Sequence, residues 1–198
     1  MKKRRKTIQL TLILAVCFLF LSTSHAFCAE IESLLGQPAG MAKFDNDGKL
    51  LLPSDYRTWV FVGAAVTPNE MNQGEAPFPE FHTIYMDPLS YRVFKKTGEF
   101  PEGTVMIKET QMIAGKKAPS GNGYFMGDFV LLAAGVKDTK RFAGKRAGWG
   151  FFAFGKPTDP RPKSEVLPVA ECNNCHNAAA KEQVFIQYYP VLQAVEKK

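Results

Sequence analysis

Histidine and cysteine are scarce in this 198-residue sequence, with three of the first and four of the second. No Cys/His pair accompanies Cys172, Cys175 and His176. A four-ligand structural zinc site is thereby excluded. There is no internal repeat and no Gly-rich turn between a strand and a helix. Gly121, Gly123 and Gly127 therefore serve turns or close packing, and phosphate cradling is not expected. With 45% hydrophobic and 22% charged residues, disorder, collagen and coiled coil are excluded, and one domain or two small ones remain. After the first apolar run, no second stretch is long enough to cross a membrane.

What is abundant is positive charge, 25 basic against 19 acidic side chains and a net charge of +6, and it gathers at one end. Lys2, Lys3, Arg4, Arg5 and Lys6 precede an apolar run from Ile8 to Leu21, and Ser24-His25-Ala26 follows. That order is a secretory signal: basic segment, short apolar segment, small residues at the cut. Cleavage is expected after Ala26, with Ala29 as the alternative. Removing residues 1–26 leaves a mature chain of net charge +1, with no electrostatic case for nucleic acid. Phe27 before Cys28 is too bulky for a lipoprotein site. The expected layout is a signal peptide over 1–26, an N-terminal segment over 27–42 and a domain over 43–198.

Cys17 lies in the leader and Cys28 at its edge, which leaves Cys172 and Cys175 in the body of the chain, followed directly by His176. Cys172-Asn173-Asn174-Cys175-His176 has the spacing of c-type haem attachment, in which two thiols bind the vinyl groups and the imidazole binds iron. A disulfide or redox pair is the competing reading. For a sixth iron ligand, the sequence offers His82 and methionines 41, 71, 86, 106, 112 and 126. None follows His176. The layout favours an open position opposite the histidine.

Strands are expected over 57–66, 81–86, 104–113, 124–136 and 149–154, with a short helix over 88–96. Residues 157–168, rich in proline, read as a linker to a C-terminal helix that carries the haem motif. The expected fold class is α+β and β-dominated, an antiparallel sheet with a few helices. A four-helix bundle is disfavoured by weak helical periodicity. On a strand of period two, Thr104, Met106, Lys108 and Thr110 share one face, and Val105, Ile107 and Glu109 the other.

Five collinear segments, over 51–70, 84–109, 120–128, 136–144 and 184–192, together with the haem motif, resemble cytochrome P-460. The resemblance implies a β-rich, dimeric, periplasmic mono-haem protein. It implies an enzyme that oxidises hydroxylamine to nitrous oxide through an iron-nitrosyl and passes electrons to a soluble cytochrome c. The related cytochromes c′-beta bind nitric oxide without that chemistry, and a plain electron carrier is a third class. By the same resemblance, Lys108 matches a strand lysine that is covalently joined to the porphyrin. Desolvation would expose the neutral amine such a bond needs, and the alternative is a lysine snorkelling from a sheet edge. Glu171 is the candidate distal carboxylate, with Glu165 and Asp128 behind it. His82 stands where the enzymes often carry an arginine. Phe81, Phe125 and Met126 are the candidate distal wall.

Overall fold

The computed structural model describes residues 42–115 and 117–195. The expected signal peptide, Cys17, Cys28 and Met41 lie outside them. Within the described residues, the centre is a five-stranded antiparallel sheet of β2 (Val60–Val66), β3 (Glu80–Met86), β4 (Val105–Ala114), β7 (Phe125–Lys137) and β8 (Trp149–Gly155), in the order β2-β3-β4-β7-β8. Each strand pairs with the next one in sequence. The small hairpin of β5 (Lys117–Ala118) and β6 (Gly121–Asn122) tips the β4–β7 connection, and β1 (Leu50–Leu51) pairs with β9 (Lys163–Ser164). The helices are α1 (Pro88–Thr97), α2 (Asn173–Ala179) and α3 (Pro190–Gln193). The α+β, β-dominated expectation is met.

The sheet is buried on both faces, so β4 reads as nearly continuous burial from Val105 to Gln111, with Lys108 the exception. One face carries Val105, Ile107, Leu132, Phe152 and Phe154 against Tyr56 and Trp59. The other carries Ile84, Met86, Met106 and Trp149 against Val184, Tyr189 and Leu192. Helix α1 closes this second face with Phe94, which stacks on Phe100 at 4.4 Å. Asp87 sets its start: the carboxylate accepts from Ser90 N at 2.8 Å and from Val105 N at 2.9 Å. Gly98, at φ 74°, ends it in the left-handed conformation that glycine adopts without strain.

Two expectations need correction. The strand expected from Arg57 starts at Val60, because Tyr56–Thr58 form a 3-10 turn. That turn is drawn onto the sheet by buried Glu109, which accepts from the Tyr56 hydroxyl and from Arg57 Nη2 at 2.6 Å. A buried carboxylate without such donors would be costly. The proline-rich stretch 157–168 is no free linker either. Leu52 N donates to Pro162 O, Leu167 N to Phe151 O, and β9 pairs with β1. Proline tolerates this edge because it needs to supply no ladder donor there.

Candidate haem-binding cavity

The second face of the sheet is left open between the strands and the C-terminal segment, and the opening is a cavity of about 470 Å³. That volume is within the roughly 300–1,000 Å³ of cofactor sites. Strand alternation aims Ile84, Met106, Lys108, Ala133 and Phe151 into it, and α2 brings Cys172, Cys175 and His176 to its rim. Gly135, Ala133 and Ala153 make part of the floor small.

The turn that opens α2 is fixed by Asn173, which is fully buried. Its amide donates to Trp149 O at 3.0 Å, and its oxygen accepts from Arg146 Nη1 at 3.2 Å. Arg146 in turn donates to Leu167 O at 2.9 Å. Cys172 and Cys175 are free thiols. Burial pushes the Cys172 thiol up, reinforced by Glu171 and opposed by Lys108.

His176 is held by its Nδ1, 2.6 Å from Gln183 O. That contact to a carbonyl makes Nδ1 the protonated nitrogen and leaves Nε2 as the lone-pair atom that a metal takes. Phe151 and Phe185 pack on the ring, at 4.3 and 4.7 Å between centroids. Burial keeps the imidazole below the ordinary histidine value.

Lys108 points into the same space. Its ammonium lies 5.3 Å from the Phe78 ring centroid and makes no hydrogen bond or ion pair among the described residues. Burial lowers its pKa, opposed by Glu80 and the two thiols. Two thiols, an imidazole with a free Nε2 and a desolvated amine, facing one mostly apolar cavity, fit a c-type haem.

The structure separates the remaining candidates. His82 and Glu171 line the cavity. Phe81 does not, because its neighbour His82 takes the inward face and alternation sends Phe81 to the other. Phe125 and Met126, 38% and 50% exposed, sit where β7 runs past the cavity, opposite Ala114 and Ile113. The wall is built instead by Phe78, Phe151, Phe185 and Tyr189. Asp128 is exposed away from the cavity, and Glu165 is tied at 2.8 Å to Lys49. Among the described methionines, only Met106 lines the cavity. Met86 is fully buried in the core, and Met71, Met112 and Met126 are exposed.

Sequence reasoning missed Asn173, Arg146, Gln183, Phe151, Phe185 and Tyr189. Asn173 was the nearest to legible, since it lies inside the motif itself. The family model for cytochrome P-460 matches residues 53–186, more than half of the chain. No curated protein matches the sequence.

Proposed function

The chain belongs to the cytochrome P-460 family, and from that premise and the geometry of the cavity we propose that it is a c-type mono-haem enzyme that oxidises hydroxylamine to nitrous oxide. The observation that carries the reading is Lys108, a desolvated amine in the same cavity as Cys172, Cys175 and His176. When bound, the haem supplies an iron centre that accepts the substrate's electrons. Cys172 and Cys175 would hold the cofactor by their thiols, and the Gln183 carbonyl orients His176 so that Nε2 is the atom left to bind a metal. Lys108 Nζ would supply an additional covalent link, an amine N–H and a porphyrin C–H being lost to an external two-electron oxidant. Phe78, Phe151, Phe185 and Tyr189 exclude water from the reacting centre.

Conversion of hydroxylamine to nitrous oxide and water releases electrons and protons in equal number, so a proton outlet is required. Glu171, on the cavity rim and exposed, receives them at its carboxylate and passes them to solvent. A soluble cytochrome c takes the electrons. The proposal includes export to the periplasm and assembly as a homodimer.

Hydroxylamine-dependent reduction of an artificial acceptor tests the reading. Lys108→Ala is expected to lower turnover at least about tenfold while the protein keeps its haem; unchanged turnover overturns the role of Lys108. The apolar lining favours one second reading, a cytochrome c′-beta-like nitric-oxide binder. That reading gains if the wild type binds nitric oxide and shows no hydroxylamine turnover.

A further inference from the structure

The turn that supplies the Gln183 carbonyl is one the local sequence resists. Val184 N donates to Lys181 O at 3.0 Å, which closes a four-residue turn. Its two central residues, Glu182 and Gln183, stand at φ 49° and 63°. A left-handed pair of this kind suits Asn-Gly, whereas glutamate and glutamine carry a Cβ that crowds the backbone there. Such residues persist only where their surroundings over-determine them. Here each central residue has an anchor. Lys137 Nζ donates to Glu182 Oε2 at 3.4 Å, and Gln183 Nε2 donates to Asn177 Oδ1 at 2.6 Å.

The direction of the Gln183 bond is fixed from outside the turn. Asn177 Nδ2 donates at 2.9 Å to the carbonyl of Lys145, in the 3-10 turn Gly144–Arg146. A carbonyl only accepts, so Asn177 turns its nitrogen to Lys145 and its oxygen to Gln183. The Gln183 amide must then present its nitrogen, which leaves Gln183 Oε1 buried and without a hydrogen-bond partner among the described residues. A buried acceptor left unpaired is costly. What two left-handed residues and an orphaned oxygen secure is one contact, Gln183 O at 2.6 Å from His176 Nδ1. Asn177 directly follows His176 on α2, so the ring and the amide that fixes its acceptor lie in one helical turn.

We propose that Asn177 is a positioning residue for the haem ligand: through the Gln183 side chain it holds the strained turn so that the Gln183 carbonyl stays on His176 Nδ1. The inference rests on the haem reading above and goes beyond it, because it assigns the group that sets the electron-donating strength of Nε2. An imidazole whose Nδ1–H is held by a carbonyl is a more basic ligand. A more basic ligand favours ferric over ferrous iron, so the clamp keeps the iron potential low and eases release of electrons to an acceptor.

The test is a spectroscopic redox titration of the mature, haem-loaded protein. Asn177→Ala, at an exposed position, is expected to lower the ferric-to-ferrous ratio at a given poise about tenfold, in line with other outer partners of metal-binding histidines. That is a rise of about 59 mV in potential. Gln183→Gly keeps the carbonyl, accepts the positive φ and deletes the amide, so it is expected to raise the potential likewise without lowering the melting temperature. Gln187→Ala is the control, since its amide donates to Ala179 O at the far end of the same helix, and its potential is expected to match the wild type's. Wild-type potentials in Asn177→Ala and Gln183→Gly, whatever their melting temperatures, overturn the clamp and leave the haem reading standing. If Asn177→Ala fails to fold or to take up haem, an unchanged potential in Gln183→Gly alone overturns it. An equal rise in Gln187→Ala also overturns it, because general loosening of α2 then explains the shift. A wild type without covalently attached haem overturns the reading beneath and the clamp with it.

Discussion

Burial depresses the His82 imidazole from its ordinary 6.5 to about 4, with the Lys108 charge adding to the effect. Between those values the unfolded chain takes up a proton that the folded one refuses. Stability is therefore fully present above about 6.5 and falls as the pH drops toward about 4. The loss attributable to this side chain is about 2–3 kcal/mol. Denaturant unfolding at a series of pH values should show a flatter acid limb in His82→Gln; a limb as steep as the wild type's refutes the assignment. Asn173→Ala should cost about 1–3 kcal/mol, because it removes the amide that donates to Trp149 O and the oxygen that accepts from Arg146 Nη1, and it should lower the yield of covalently attached haem. Normal stability and haem yield would show that the turn holds without it. At this scale the sequence disclosed the residues whose chemistry is written in their spacing: Cys172, Cys175, His176 and, through resemblance, Lys108. Gln183 and Tyr189 were illegible, because an orienting carbonyl belongs to any residue type and an aromatic wall looks like core.

The central strands were legible as elements because β-branched and aromatic runs end in proline, glycine or asparagine turns, as after Val66 and Met86. What the sequence hid at this scale is tertiary. Arg57 continued a strand pattern until Glu109 claimed its guanidinium from across the sheet, and residues 157–168 became part of the sheet's edge through backbone pairing. Phe81 was misassigned by one residue, which on a strand means the wrong face. Strand β2 and helix α3 meet where the Tyr189 ring lies over Gly63. A Cβ at that position would come within 2.9 Å of Tyr189 Cδ1. Gly63→Val is expected to destabilise the protein by about 1–3 kcal/mol through overpacking and to displace Tyr189 from the cavity wall. Thermal unfolding measures the first, and a wild-type melting temperature would contradict the contact.

At the scale of the whole molecule, the proposed function joins export to a cavity in which Cys172, Cys175 and His176 would hold a haem and Lys108 would add a fourth link. Export predicts that the mature protein begins at Phe27, which N-terminal sequencing checks; a chain still starting at Met1 contradicts it. The central claim is that the Lys108 amine and the haem of Cys172 and Cys175 become one covalent unit. Proteolysis of the mature protein followed by mass spectrometry tests it most directly. The account predicts that the peptide containing Lys108 is recovered joined to the Cys172–Cys175 haem peptide; a Lys108 peptide recovered free of haem would contradict it.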